Sequence, residues 1–338
     1  MTSISRDKAQ VAGSRRALII LTLLVVVGAQ VWAQGGRRPR PLPAARYIAF
    51  SSNRAGSYDV YLYDMSNSTL VTPPGLNSTS AQDVSPSISS DGRFIAFESD
   101  RGGPSTHVYF YDRNLNGGSL VNLPGVNTQQ SEEHPSLSGD GSLLAFDSNR
   151  TGVHHIYLYD AASKSHPAYE PPGLNATKGE DINPCISLGG TYIVFQSNRA
   201  APGTNNYDVY FYDRSAASPA AVALPNLNSQ YFDGYPTIST DGRYICFMSR
   251  RAAGGTMAAL YLYDRQNPAA PTQLLPSWTA EQVWPSFSRD NRYISFSSTR
   301  PGGQGGYDVY LYDCSNNGQI TAPTNLNSTR DDSESCGR

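Results

Sequence analysis

Acidic side chains recur along this sequence at equivalent positions, each three residues before a proline or at the matching position near the C-terminus. The six residues at these positions are Asp83, Glu132, Asp181, Asp233, Gln282 and Asp331. Carboxylates that converge from several segments repel one another unless a cation neutralises them, and calcium takes six to eight oxygen ligands. One hypothesis is therefore a calcium ion held by Asp83, Glu132, Asp181, Asp233 and Asp331.

Arginines recur with the same frequency and offer a second explanation for the acids. They are Arg54, Arg101, Arg150, Arg199, Arg250 and Arg300, each in the loop after a strand-like segment. Six arginines against five acids would form ion pairs that join neighbouring repeats. The sequence leaves both explanations open, and a bound calcium ion is the one cofactor that it raises.

Aromatic residues are concentrated in two consecutive repeats. The segments "SQYFDGYP" (229–236) and "PSWTAEQVWP" (276–285) contain Tyr231, Phe232, Tyr235, Trp278 and Trp284. Clustered exposed aromatics form hot spots for protein partners and stacking surfaces for sugars, whereas buried ones would only fill space between repeats. The residue directly before each proline varies along the chain, and the residues there are Ser85, His134, Asn183, Tyr235 and Trp284, with Ser333 at the chain end. We predict a partner-binding surface formed by His134 and the five aromatic residues.

No catalytic motif is found in the sequence. GxSxG, HExxH, CxxC and a phosphate-binding glycine loop are all missing. The five histidines fall in two repeats, and the adjacent His154 and His155 would point to opposite faces of a strand, where we expect solvent exposure. The sequence therefore predicts a protein that is not an enzyme and requires no cofactor.

These residues are positioned by a repeat of about fifty residues. Six phenylalanines mark it, at 50, 97, 146, 195, 247 and 296. A period of this length with strand-like content is typical of a β-propeller. Each unit reads as four short strands with alternating apolar and polar side chains, and Asp91-Gly92, Asp140-Gly141 and Asp241-Gly242 provide hairpin turns. An aspartate that ends each third strand, such as Asp112, is expected to bind backbone N–H groups locally.

The chain end predicts how the ring closes. "STRDDSESCGR" aligns with "SAQDVSPSIS" (80–89), with Asp331 on Asp83. The last residues would then supply the innermost strand of a blade that begins at Tyr47. We predict an all-β fold, a six-bladed propeller of four-stranded antiparallel blades over residues 46–338, closed by a C-terminal strand that completes the first blade.

The segment "SPSISSDGRFIAFESDRGG…HVYFYD" resembles the repeat of the TolB-like β-propellers, and the resemblance covers all six units. It implies a propeller that binds a protein partner at the cell envelope through its channel face. The α/β domain that precedes the propeller in TolB has no counterpart in the twelve residues "QGGRRPRPLPAA" (34–45). Similar lyases depend on channel histidines, and here only His134 lies near the channel.

The N-terminus predicts export. Basic residues in 1–16, the apolar run "ALIILTLLVVVGA" (17–29) and "VWA" (31–33) form the pattern of a signal peptide over 1–33. Residues 34–45 read as a Pro/Gly/Arg-rich tether. The location would be periplasmic or extracellular, with an uncleaved membrane anchor as the alternative.

Charge and cysteine content narrow the partners. Beyond residue 33 the chain has 22 basic and 27 acidic residues, a net charge of −5, which excludes a basic field for nucleic acid. The spacing of Cys185, Cys246, Cys314 and Cys336 predicts no disulfide framework. We therefore expect a monomeric, non-catalytic scaffold with a protein partner, and a carbohydrate-binding propeller, less readily a polysaccharide-cleaving one, as the alternative.

Overall fold

The computed structural model describes residues 45–162, 166–276 and 279–337, and these residues form strands and loops with two single-turn 3-10 helices at Leu115–Gly117 and Ala252–Gly255. The predicted signal peptide over 1–33 and nearly all of the tether lie outside this part of the chain. Among the described residues, no helix has the length and apolar character needed to cross a membrane.

Six antiparallel sheets form the blades. The strands of blades 1 to 3 are, in chain order, β1 (Tyr47–Ser52), β2 (Asp59–Asp64), β3 (Thr69–Val71), β4 (Asp83–Ile88), β5 (Phe94–Ser99), β6 (His107–Asp112), β7 (Ser119–Val121), β8 (Glu132–Leu137), β9 (Leu143–Ser148) and β10 (His155–Asp160). In blade 3 a single bridge between Leu158 and Tyr169 takes the place of a fourth strand. The prediction of an all-β, six-bladed propeller is confirmed.

The remaining strands complete the ring. They are β11 (Asp181–Ile186), β12 (Tyr192–Ser197), β13 (Asp208–Asp213), β14 (Ala221–Ala223), β15 (Asp233–Ile238), β16 (Tyr244–Ser249), β17 (Ala259–Asp264), β18 (Thr272–Gln273), β19 (Gln282–Phe287), β20 (Tyr293–Ser298), β21 (Asp308–Asp313), β22 (Gln319–Thr321) and β23 (Asp332–Gly337). Strand β23 joins β1, so the sheet order of blade 1 is β23-β1-β2-β3. The predicted closure by the chain end is therefore confirmed.

The register of that closing strand differs from the sequence alignment by one residue. Asp332 stands opposite Ser52, as Asp83 stands opposite Ser99. The alignment of Asp331 with Asp83 was wrong because the loop that follows Asn327 is one residue shorter than the loop that follows Asn77. By the same shift, position 334 rather than Ser333 corresponds to Ser85.

The recurring Tyr-x-Tyr-Asp motif of each third strand is structural. Its first tyrosine packs on the marker phenylalanine, with 5.9 Å between the ring centroids of Phe97 and Tyr109. In four blades its second tyrosine reaches the preceding blade, where for example the Tyr111 hydroxyl donates to the Pro74 carbonyl at 2.7 Å, whereas the buried Tyr159 hydroxyl has no partner among the described residues. Its aspartate accepts a backbone N–H two residues on, at 2.9 Å from Asn114 to Asp112. The expected local role of these aspartates is confirmed.

Apolar side chains from adjacent blades fill the space between them. Ala49 and Leu62 of blade 1, for example, share a buried cluster with Ile95 and Phe97 of blade 2. Burying one such phenylalanine stabilises the fold by about 2–3 kcal/mol. The hairpin turns follow the predicted chemistry, with a φ of 73° at Gly92, 72° at Gly141 and 72° at Gly242. The blades therefore depend on each other for their cores.

Candidate functional site

Every innermost strand contains a β-bulge at the same place. In β4 the register shifts between Val84 and Ser87, and the same shift occurs in the other five blades. The residue before the proline has a φ of 48–52° in five blades, at Ser85, His134, Asn183, Tyr235 and Trp284. A left-handed backbone at a non-glycine residue costs about 1–3 kcal/mol and is common where function requires it. Bulges re-aim side chains, and here they turn these five toward the axis of the ring.

These five residues and the prolines that follow them line one cavity of about 140 Å³. Because five different blades contribute to it, the cavity lies at the centre of the ring, where the channel opens. We call the set Ser85, His134, Asn183, Tyr235 and Trp284 the mouth. The structure thus brings together three of the six residues predicted for partner binding, which are His134, Tyr235 and Trp284.

The strained backbone of the mouth is held by the blade before it. The N–H of His134 donates to Glu98 at 2.6 Å. The N–H of Asn183 donates to Asp147 at 3.0 Å, and that of Tyr235 to Gln196 at 2.8 Å. Glu98, Asp147 and Gln196 occupy the same place in three second strands and are all buried. These hydrogen bonds satisfy N–H groups that the bulge removes from the sheet ladder.

Asp147 also joins two histidines. Its Oδ1 lies 2.8 Å from His134 Nδ1, and its Oδ2 lies 2.8 Å from His154 Nδ1. Burial opposes a charge on His134, but the carboxylates of Asp147 and Glu98 outweigh it and raise the pKa of His134 to about 10. Hydrogen bonding to Asp147 likewise raises the pKa of His154. His134 is therefore protonated at neutral pH.

The expected exposure of the adjacent histidines was wrong. The side chain of His154 is 20% exposed and that of His155 is 16% exposed, and each is bound to a carboxylate. His155 Nδ1 lies 3.3 Å from Glu170 Oε1, on a face other than that of His154. A single sequence does not show these partners because Asp147 and Glu170 lie in other strand and loop segments.

Glu133, His134 and Asp147 offer atoms within 4.8 Å of one another, a spacing that could hold a metal ion. The described contacts already use most of those atoms. Both Asp147 oxygens accept hydrogen bonds, and His134 directs Nδ1 at Asp147 rather than at open space. The group is therefore accounted for as a hydrogen-bonded network.

Four of the five acids predicted for calcium are each engaged by an arginine, and in the remaining pair Asp332 stands where Asp331 was predicted. The pairs, which we call the frame, are Asp83–Arg101, Glu132–Arg150, Asp181–Arg199, Asp233–Arg251 and Asp332–Arg54, with N–O distances of 2.5–3.3 Å. The five carboxylates are fully buried. Their second oxygens are occupied too, as at Asp181, where Oδ2 accepts the Ala176 N–H at 2.7 Å. Calcium in the channel stays a prediction, and binding it would require these carboxylates to give up their present partners.

The frame corrects three details of the sequence interpretation. Each pair lies within one blade rather than between neighbours, because the arginine follows the second strand of the sheet that its acid begins. The fifth arginine is Arg251, not Arg250, because Arg251 stands two residues after Ser249, as Arg101 stands after Ser99. The last acid is Asp332, whereas Asp331 accepts the Tyr58 hydroxyl and the Tyr307 N–H.

Each frame arginine makes the same set of contacts. Arg199, for example, donates to Asp181 at 2.6 Å and to the Leu174 carbonyl at 2.8 Å. Its guanidinium also lies over the rings of Phe195 and Tyr210, 5.2 and 4.5 Å from their centroids. A charged donor that serves a carboxylate, a carbonyl and two ring faces orders one end of a blade.

The aromatic residues of blades 4 to 6 form a continuous row. Its members, in order, are Tyr207, Phe232, Tyr235, Trp284 and Tyr307, with centroids 5.1–6.3 Å apart. The middle of the row packs on Met248, Ala258 and Val283, so these rings are half-buried. The Tyr207 hydroxyl donates to Glu180 and the Tyr307 hydroxyl to Glu281, which places a carboxylate at each end.

The remaining predicted aromatics behave differently. Tyr231 has no ring partner in the described part of the chain and lies beside Gly255. Trp278 lies outside the described residues. A role of any of these side chains in binding stays a prediction.

No protein-family model matches the sequence, and no curated protein matches it either. Solved structures do. TolB from Acinetobacter baumannii superposes with a TM-score of 0.62 at 18% identity, covering 97% of this chain and 74% of that one. A protein assigned as TolB in Agrobacterium tumefaciens gives a TM-score of 0.55 at 16% identity, covering 83% of this chain and 88% of that one. A puromycin-hydrolysing peptidase of Mycobacterium tuberculosis gives a TM-score of 0.52 at 14% identity, covering 86% of this chain and 47% of that one.

The chain has the fold of the TolB propellers.

On this TolB-type ring, Asn183 was named before its proline but was not predicted for binding, and the buried side chains that support the mouth were missed. Asn183 lines the cavity beside His134. The side chains that bind the backbone N–H groups of three mouth residues are Glu98, Asp147 and Gln196. Their signal was present in the second strands, which read "AFES", "AFDS" and "VFQS". A buried position that changes among Glu, Asp and Gln while its neighbours stay constant indicates a polar partner in the next blade.

Proposed function

We propose that this protein is an exported, non-catalytic recognition module that binds a protein partner at the cell envelope through the mouth and the aromatic row. The observation that carries the proposal is the difference between the repeats. The frame is the same in five blades, whereas the mouth has five different residues at a strained φ, and buried side chains of the preceding blade hold the backbone of three of them. Strain kept at variable positions of a constant scaffold is typical of a binding site.

Preorganisation supports this function. The mouth residues sit on strands rather than on loops, and neighbouring blades fix their backbone. A surface that is already ordered loses little conformational entropy when a partner docks. The half-buried rings of Phe232, Tyr235 and Trp284 would provide the oriented anchors that protein interfaces use.

The chemistry of the mouth supports recognition rather than catalysis. His134 carries a proton at neutral pH, and an imidazolium cannot act as a general base. The sequence contains no nucleophile motif of the peptidase type. Location at the cell envelope is supported by the TolB-type fold together with the predicted signal peptide.

A polysaccharide laid along the aromatic row is less well supported. Stacked sugars need ring faces that are exposed and roughly coplanar. Successive rings of the row are tilted by 63°, 37°, 88° and 56° and pack against one another. A row of this shape suits an irregular protein surface better than a linear sugar chain.

The test is a capture experiment with the purified full chain on beads, using envelope and culture-fluid extracts of the source cell. Three baits are compared: the wild type, Tyr235→Ala/Trp284→Ala and the control Tyr231→Ala, each with its unfolding midpoint measured beforehand. We expect one protein to be retained by the wild type and the control and lost by the double variant. Equal retention by all three folded baits would contradict binding through the mouth.

A further inference from the structure

The mouth leaves polar groups without partners. Within the described residues, the side-chain amide of Asn183, Nε2 of His134 and the indole N–H of Trp284 make no hydrogen bond. All three residues line the same cavity. His134 Nδ1 is bound to Asp147, which fixes the ring and leaves Nε2 as a donor. A cavity that collects unpaired donors is suited to a ligand with oxygen acceptors.

The size of the cavity limits the ligand. Its volume is about 140 Å³. An apolar cavity of about 150 Å³ holds one benzene ring, and pockets for drug-sized ligands begin at about 300 Å³. The open cavity therefore accommodates one ring, and the substituents of that ring lie at its rim or outside it.

The cavity has two chemically different sides. His134 and Asn183, from blades 3 and 4, supply the donors. Tyr235 and Trp284, from blades 5 and 6, form an aromatic corner in which the two ring planes meet at 88° with centroids 6.3 Å apart. A ligand that fits both sides has an apolar face and an edge with oxygen atoms.

The charges around the cavity argue against an ionic ligand. The carboxylates of Glu98, Glu133 and Asp147 surround His134, and His154 shares Asp147 with it. An anion would meet three carboxylates, and a cation would meet the imidazolium N–H. An uncharged ligand avoids both repulsions.

We propose that the mouth binds one uncharged pyranose ring, the terminal residue of a glycan. The C–H face of the sugar lies against one ring of the Tyr235–Trp284 corner and its edge meets the other ring, while its hydroxyl oxygens accept hydrogen bonds from His134 Nε2–H and the Asn183 amide. A phenol ring has a single oxygen and would leave one of those donors unpaired. This site goes beyond the protein-binding function and does not depend on it, since the ligand is a sugar residue that free monosaccharides can represent.

The test is saturation-transfer difference NMR on the full chain with methyl α-glucoside, methyl α-galactoside, methyl α-mannoside and N-acetylglucosamine. The mouth variants are Asn183→Gly and Trp284→Ala. Glycine removes the amide and accepts the positive φ, so the first variant introduces no new backbone strain. Tyr169→Ala, at a side chain that is 45% exposed on the outer edge of blade 3, is the matched control.

We expect saturable binding of at least one sugar that is weakened about tenfold or more by each mouth variant and unchanged by the control. No saturable binding of any of the four sugars, or binding that both mouth variants retain, would overturn the proposal. N-acetyltyrosinamide is titrated in parallel. If it saturates and the sugars do not, the mouth takes a protein side chain and the sugar site is rejected, while the protein-partner function stands.

Discussion

The frame and the mouth lie two residues apart on the same strands, yet they differ in every other respect. Asp83 belongs to the frame and Ser85 to the mouth, and the same spacing recurs in three further blades. Frame side chains repeat with the same partners, and their carboxylates are fully buried. Mouth side chains differ from blade to blade and line an open cavity, where His134, Asn183 and Trp284 keep donors unpaired within the described residues. Repetition in this protein therefore marks what holds the ring together, and variation marks where it meets other molecules.

The largest effect should come from breaking the frame. Arg199→Met leaves the fully buried Asp181 carboxylate without its cation and should lower the free energy of unfolding by about 3–5 kcal/mol. Urea denaturation at pH 7 measures this. Lys178→Met, at an exposed residue of the preceding loop, should stay within about 0.5 kcal/mol of the wild type. A loss below about 1 kcal/mol for the arginine variant would show that the frame does not hold the fold.

The ion pair of His134 with Asp147 beneath the mouth should make the free energy of unfolding depend on pH. The pKa of His134 is raised from its ordinary value to about 10, so the stabilisation is complete below pH 6.5 and is lost as pH rises toward 10. Between pH 6.5 and 9.5 the free energy of unfolding, measured by urea denaturation, should fall by about 2 kcal/mol more in the wild type than in His134→Gln, allowing for the partial exposure of the side chain. Parallel pH profiles would mean that His134 is not held as an imidazolium.

Asp208 offers a sharper contrast, because it is a half-buried acid that makes no ion pair of the frame. Its Oδ1 is buried and has no partner among the described residues, and burial together with Asp233 raises its pKa to about 6. The folded state keeps a proton that the unfolded state loses, so stability falls as pH rises from about 4 to 6. Asp208→Asn should therefore stabilise the protein at pH 7 by about 1 kcal/mol, discounted for partial exposure.

The pH dependence separates this effect from a change in packing. At pH 4 the gain from Asp208→Asn should vanish, because the wild-type carboxyl is then protonated as well. The matched variant is Asp233→Asn, at the frame acid of the next blade. It should destabilise the protein at pH 7 because it weakens the ion pair with Arg251. Stabilisation by both variants would contradict the claim that acids paired with an arginine stabilise the fold whereas Asp208 does not.

Calcium should have the smallest effect. The frame carboxylates already accept hydrogen bonds from arginine and backbone N–H groups, so they do not offer calcium the six to eight oxygen ligands that it takes. The unfolding midpoint in millimolar calcium and in chelator should agree within about 1 °C, since only an ion that binds the native state shifts it. A clear rise in calcium would establish the channel cation that the sequence raised.

The fold could be predicted from the sequence because the repeat appears six times in one chain. The marker phenylalanines, the Asp-Gly turns and the Tyr-x-Tyr-Asp motif each report a local rule that the structure obeys. The register of β23 was missed because a loop is one residue shorter, which pattern matching does not detect. The mouth was predicted in part, since the residues before the prolines are visible in the sequence. Their positive φ and the buried partners Glu98 and Asp147 depend on contacts between blades, which no single repeat contains.

The most direct test of the account makes the mouth uniform while leaving the frame intact. Asn183→Ser/Tyr235→Ser/Trp284→Ser gives three further blades the residue that blade 2 carries at Ser85. Urea unfolding and capture of the envelope partner are measured on the same preparation. The account predicts one cooperative unfolding transition, with the partner lost. Retained capture, or loss of cooperative folding, would contradict the claim that the frame holds the ring and the mouth recognises the partner.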